Sequence, residues 1–211
     1  MTRTLRDYLA DLPLVAILRG LKPNDAERVG MALVEAGFRI IEVPLNSPEP
    51  FRSIETLAKV LPDDVLVGAG TVMEPAQVDG IRDVGGKLIV MPHADPEVIR
   101  RAKERGLVCT PGVATPTEAF AALRAGADGI KIFPAEAMPP NVVKAWRAVL
   151  PKDAIVIPVG GIKPETMKSY VDAGANGFGL GSALFAPAMG IEEIGRNAVA
   201  FAETWRALQQ R

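Results

Sequence analysis

The chain repeats one pattern from end to end: a short run of apolar residues, a turn, then an amphipathic stretch. Apolar runs fall at residues 14–18, 40–43, 65–68, 88–90, 108–109, 129–132, 155–159 and 177–180. Between them lie helix-like stretches at 24–35, 50–60, 75–84, 96–105, 117–124, 141–150 and 164–172. Asp, Asn, Thr or Pro stand where caps and first turns belong, as in Asp95-Pro96 and Thr115-Pro116-Thr117. Glycine follows several of the helical stretches, at Gly37, Gly85, Gly106, Gly126 and Gly174, as the left-handed helix cap requires. The apolar runs do not alternate with polar residues, so they read as parallel strands covered on both faces. Strand–helix units in this number, in 211 residues, predict an α/β fold of the (β/α)₈ TIM-barrel type. An open doubly wound sheet is the second reading.

Composition narrows what such a fold is for. With no linker or shift in composition, residues 1–211 read as a single barrel domain. Hydrophobic residues make up 48% of the chain and the formal net charge is −1. That balance gives no electrostatic basis for a nucleic-acid or anionic-membrane partner, and 5% aromatic residues offer little surface for base stacking. Cys109 is the single cysteine, so no disulfide within the chain is possible and a reducing, cytoplasmic setting is expected. It reads as a small core residue. One His and one Cys make a zinc site improbable, and no metal or other cofactor is expected. No apolar run has the length of a membrane-crossing helix. The last stretch, 191–208, puts Ile194, Ala198, Phe201, Trp205 and Leu208 on one helical face, a stripe that packs on the barrel.

Two residues break the apolar pattern. Lys131 lies within Gly129-Ile130-Lys131-Ile132-Phe133-Pro134, and Glu42 within Ile40-Ile41-Glu42-Val43-Pro44. Lysine and glutamate are rarely buried without a partner. A desolvated lysine loses its proton more easily and becomes an amine nucleophile able to form a Schiff base with a ketone. A carboxyl group beside it can shuttle protons. A structural ion pair, or a lysine that reaches out to solvent, is the alternative.

In a barrel the chemistry sits where strands end. The first run ends at Arg19, whose guanidinium suits a carboxylate or phosphate; a salt bridge to Glu42 is its plainer role. The third ends at Thr71, which either positions substrate or caps the next helix. His93 follows the fourth run and reads as incidental. Val159-Gly160-Gly161-Ile162 and Gly179-Leu180-Gly181-Ser182 end the seventh and eighth runs. Each precedes an expected helix, the second a short one. Small residues there let backbone N–H groups close on an anion, and barrel phosphate sites commonly use these two loops.

Taken in order, Ile41-Glu42-Val43-Pro44-Leu45-Asn46-Ser47-Pro48, V-G-A-G-T-V at 67–72, P-G-V-A-T at 111–115, K-I-F-P-A-E-A at 131–137, V-G-G-I at 159–162 and G-L-G-S at 179–182 resemble the class I 2-keto-3-deoxy-6-phosphosugar-acid aldolases. The motifs span nearly the whole chain. The resemblance implies a metal-free (β/α)₈ barrel, usually a homotrimer, acting on a phosphorylated keto acid. It implies that Lys131 is the Schiff-base lysine and Glu42 the acid/base. It places Arg19 and Thr71 at the substrate-carboxylate and pyruvate-pocket positions, Pro92 and Phe133 among the substrate-binding residues, and Gly160, Gly161, Gly181 and Ser182 at the phosphate. Members differ in the C4 configuration of their substrate. Gluconate-type enzymes read T-L-R-T after the glutamate strand and T-G-G before the phosphate turn. Here Asn46 and Val159 stand in those stretches, which is similar to the galactonate type, whereas Phe133-Pro134-Ala135-Glu136-Ala137 is similar to the gluconate type. His93 replaces a small or amide residue.

The expected reaction is reversible cleavage of 2-keto-3-deoxy-6-phosphogalactonate to pyruvate and D-glyceraldehyde 3-phosphate. The gluconate epimer is the alternative substrate. Other readings are a phosphosugar isomerase or epimerase with Lys131 as a general acid, a metal-dependent pyruvate aldolase, and a non-catalytic phosphosugar-binding protein.

Overall fold

The computed structural model describes residues 3–210. Nine strands and nine α-helices alternate along most of the chain. The strands are β1 (Leu14–Ile17), β2 (Ile40–Pro44), β3 (Leu66–Gly70), β4 (Leu88–Val90), β5 (Val108–Thr110), β6 (Gly112–Val113), β7 (Ile130–Ile132), β8 (Val156–Pro158) and β9 (Phe178–Leu180). The helices are α1 (Leu5–Tyr8), α2 (Pro23–Glu35), α3 (Pro50–Val60), α4 (Pro75–Asp83), α5 (Pro96–Glu104), α6 (Pro116–Arg124), α7 (Pro140–Arg147), α8 (Pro164–Asp172) and α9 (Ile191–Gln209). A 3₁₀ turn occupies Ala135–Ala137.

Helices α2 to α8 each open on a proline. Proline's fixed φ suits the first helical turn, where its missing N–H would have had no partner. This is why α2, α6 and α7 start one residue before the expected positions. The glycines expected after helices adopt the left-handed conformation, from Gly37 at φ 105° to Gly174 at φ 97°. Helix α1 was not expected. Thr4 caps it, with the Asp7 N–H donating to Thr4 Oγ1 and the Thr4 N–H donating to Asp7 Oδ2, a reciprocal pair that offsets the cost of starting so short a helix.

Every pair of adjacent strands is parallel. They form a six-stranded sheet, in the order β5-β4-β3-β2-β1-β9, and a three-stranded sheet, β6-β7-β8. This differs from the single eight-stranded ladder expected. The fifth apolar run is longer than expected and is split by Pro111, which has no N–H to give a ladder. Its first part pairs with β4 through Val90↔Thr110, and its second pairs with β7 through Gly112↔Lys131. At the other margin one isolated parallel bridge joins Val159 to Gly179.

The continuous apolar character of the strands resolves into two cores. Residues such as Leu14, Ala16, Ile41, Val43, Ile89, Cys109, Ile130 and Ile132 pack outward against the helices. The alternate positions, among them Val15, Ile17, Ile40, Leu66, Val90, Val108, Ile155 and Ile157, pack against one another on the inner side, with Leu5 and Leu9 of the first turn. Strand side chains alternate in direction, so Glu42 follows Ile40 and Thr110 follows Val108 on that inner side. The α9 stripe buries Ile194, Ala198, Phe201 and Trp205, with Leu208 partly buried beside them.

Phe201 is 1% exposed. Phe201→Ala is expected to lower stability by about 3–5 kcal/mol, the usual cost of emptying a phenylalanine site. Urea unfolding should show a lower midpoint with an unchanged slope.

Candidate active site

Lys131 and Glu42 come from opposite sheets and meet on the inner side. Lys131 is the middle residue of β7 and is 7% exposed; Glu42 is the middle residue of β2 and is 1% exposed. Both line one small cavity of about 20 Å³, together with Thr110 and a set of apolar side chains. Glu42 Oε2 is buried without a hydrogen-bond partner. Burial raises the Glu42 carboxyl to about 7, against the lesser opposing pull of Lys131 and then Arg19. Burial likewise holds the Lys131 amine below the usual lysine range, helped by the charge of Arg19 and opposed by Glu42. Removing both groups from water therefore drives the pair toward a neutral amine beside a neutral acid. The Phe133 ring, with its centroid 4.7 Å from Lys131 Nζ, favours the charged amine and limits that drift.

Room for the carboxylate comes from Gly70. A Cβ there would overlap both Glu42 oxygens, so the last residue of β3 has to be glycine. The next residue, Thr71, sits in the left-handed region at φ 57°, a conformation that costs a residue with a side chain about 1–2 kcal/mol. Thr71 is not a helix cap, because α4 is capped by Glu74. Strain retained in the turn leaving an active-site strand is consistent with a positioning role.

Arg19 does not bridge to Glu42. Its Nη1 donates to Asn46 Oδ1 at 2.5 Å, and the Gly20 N–H donates to Ser47 Oγ at 2.9 Å, so the turns after β1 and β2 are tied together. Pro92 is half-buried beyond β4, with its carbonyl directly over Gly112. His93 is exposed and contributes its backbone carbonyl to the Gly112 N–H. Cys109 faces the outer core, where burial first and the Asp128 charge second push its thiol up to about 12.

Beyond Lys131 the inner side opens into a cavity of about 610 Å³. Arg19, Phe133, Val159, Gly160, Gly161, Gly181 and Ser182 all border it. Thr71, Pro92 and Asn46 do not, although Asn46 touches it through Arg19. Gly160 and Gly161 have φ 112° and 63° and lead into α8 through Lys163. The second glycine loop differs from expectation. It makes a single turn, with the Leu184 and Phe185 N–H groups donating to Gly181 O, and no short helix follows.

Three residues of the site had no role assigned from sequence. Thr110 falls just beyond the fifth apolar run as read from the sequence. Lys163 lines the 610 Å³ cavity and offers a cation beside the glycine turn. Glu136 stands so close to Gly160 and Gly161 that a Cβ on either would strike its side chain. Among the described residues there is no cluster of three or more His, Cys, Asp or Glu side chains, and no helix is long and apolar enough to cross a membrane.

Comparison with known proteins bears on this geometry. Residues 5–199 match the family described as KDPG and KHG aldolase. A probable 2-dehydro-3-deoxy-6-phosphogalactonate aldolase of Rhizobium meliloti (strain 1021) is 52% identical over 188 residues, covering 89% of each chain. The 2-dehydro-3-deoxy-6-phosphogalactonate aldolase of Escherichia coli (strain K12) is 46% identical over 199 residues, 94% of this chain and 97% of that one. Among solved structures, one described as a native KDPGal structure superposes with a TM-score of 0.93 at 46% identity, over 95% of this chain and 97% of its own.

Burial of Glu42 has a consequence for stability. Its carboxyl rises from an ordinary 4.5 to about 7 in the fold, so between those values the native state holds more proton than the unfolded state. Stability must therefore fall as pH rises through this window. Glu42→Gln should abolish that fall, and the variant should gain on the wild type by up to about 3 kcal/mol at pH 8 relative to pH 4. Urea unfolding of both proteins at the two pH values measures it.

Proposed function

The chain belongs to the KDPG and KHG aldolase family, and on that premise we propose that it cleaves 2-dehydro-3-deoxy-6-phosphogalactonate to pyruvate and D-glyceraldehyde 3-phosphate through a Schiff base on Lys131. The observation that carries the residue assignment is the burial of one amine and one carboxyl in the same small cavity. An ion pair kept only for stability would be an expensive use of the inner core. Burial favours the neutral form of each, which for the amine is the nucleophile and for the carboxyl is the acid.

Lys131 Nζ attacks the C2 ketone, and loss of water leaves an iminium that draws electrons from the C3–C4 bond. Glu42, as carboxylate, takes the C4 hydroxyl proton as that bond breaks, directly or through a water. D-glyceraldehyde 3-phosphate departs, the remaining enamine takes a proton at C3 from Glu42, and water releases pyruvate. Arg19 holds the carboxylate end, and Thr71, which borders neither cavity, shapes the turn that follows Gly70. Gly160, Gly161, Gly181 and Ser182 hold the phosphate with backbone N–H groups, and Lys163 adds charge. Phe133, beside Lys131, packs against the pyruvate carbons, and Val159 faces the end where the epimers differ, with Asn46 acting there through Arg19; Pro92 borders neither cavity and shapes the loop beyond β4.

We read the two sheets as one distorted (β/α)₈ barrel, supported by the Val159–Gly179 bridge and by chain continuity through Pro111. A cytoplasmic homotrimer with no membrane or nucleic-acid partner completes the reading.

Reduction with borohydride in the presence of pyruvate should add a three-carbon unit to Lys131, located by peptide mass mapping. Lys131→Ala should lower kcat/KM on the order of 10⁴-fold or more. An active alanine variant would remove Lys131 from the mechanism, and cleavage without an adduct would favour an isomerase-like use of the amine.

Val159 is 7% exposed and borders both cavities. Val159→Thr puts a hydroxyl there and should shift the ratio of kcat/KM for the two C4 epimers toward the gluconate form, by about tenfold. Steady-state kinetics on both epimers reads the shift directly, and an unchanged ratio would clear Val159 of a role in the choice.

A further inference from the structure

We propose that Thr110 is a positioning residue for proton transfer at Glu42, its hydroxyl holding one water molecule between the Glu42 carboxyl and the Lys131 amine. Thr110 ends β5 and is 5% exposed. Val108 packs in the inner core and Cys109 in the outer one, so the alternation of the strand turns Thr110 inward. Valine would fill the same space, and burying a hydroxyl without a partner is costly. Glu42 Oε2 is buried with no hydrogen-bond partner, so the Thr110 hydroxyl has a group to serve. Both groups border the same cavity of about 20 Å³, and Lys131 is the third polar side chain on it. A volume of that size holds about one water, and a buried water needs two to four polar partners. Glu42, Lys131 and Thr110 supply three.

A hydroxyl both donates and accepts. Thr110 can therefore hold the water whether Glu42 is acid or carboxylate, which a relay between changing protonation states requires. The relay is clearest at the carbinolamine. Glu42 passes its proton to the water as the water passes one to the departing C2 hydroxyl. The C2–O bond breaks, the Lys131 nitrogen lone pair closes the C=N bond, and Glu42 is left as carboxylate.

The proposal rests on the aldolase reading of Lys131 and Glu42. Its test uses Thr110→Val, which keeps the shape and removes the hydroxyl, beside Thr110→Ser, which keeps the hydroxyl. The valine variant should lose about tenfold or more in kcat with KM within twofold of the wild type. It should form the borohydride adduct more slowly, and the pH inflection of kcat due to Glu42 should move upward. The serine variant should restore the rate and the inflection. If the valine variant does not fold, Thr110→Ala is compared with serine in the same way. Valine or alanine variants with wild-type kcat and pH inflection would overturn the role of Thr110 while the adduct still forms on Lys131. Absence of the adduct in the wild type would instead overturn the aldolase reading.

Discussion

Desolvation of two opposite charges is the interaction on which the rest of this structure turns. An amine and a carboxyl sit in a space lined by Val15, Ile17, Val90, Ile157 and Val159. Burial is the largest influence on each, and it acts in opposite directions on their proton affinities. The cost of that burial is met by the apolar cores on either side of the strands. The pair is kept from bulk water because helices cover the outer faces of the strands and Leu5 and Leu9 pack into the inner core.

Backbone features serve the same end. Gly70 leaves space for the Glu42 carboxylate, Thr71 holds a strained turn directly after it, and Pro111 interrupts the sheet next to Thr110. All three lie at strand ends, next to residues that line the small cavity or leave room for them: Gly70 against Glu42, Thr71 after Gly70, and Pro111 after Thr110. Stability has been given up where the site needed shape, and recovered in outer-core residues such as Phe201 and Ile194 that take no part in the chemistry.

Much of this was legible in the chain. Near-continuous apolar runs with proline-led, glycine-ended helices between them led to parallel strands and an α/β fold, and the charged intruders Lys131 and Glu42 led to the site. Both signals are local: they depend on neighbours within a few residues. Thr110 escaped notice because threonine is ordinary in a strand. Lys163 and Glu136 escaped because exposed charges in a loop carry no signal of what they face. The split of the fifth run was hidden because Pro111 also reads as a normal turn residue.

The sequence by itself determined which residues are anomalous and which elements carry them, because burial pattern, caps and glycine ends are written in short-range order. Tertiary structure decided what those residues meet. It paired Arg19 with Asn46 instead of Glu42, brought β2 and β7 of different sheets to one cavity, and set Thr110 on its wall. Those outcomes depend on strand register and on the direction each side chain takes across the pleat, and both are fixed only when strands distant in sequence pair.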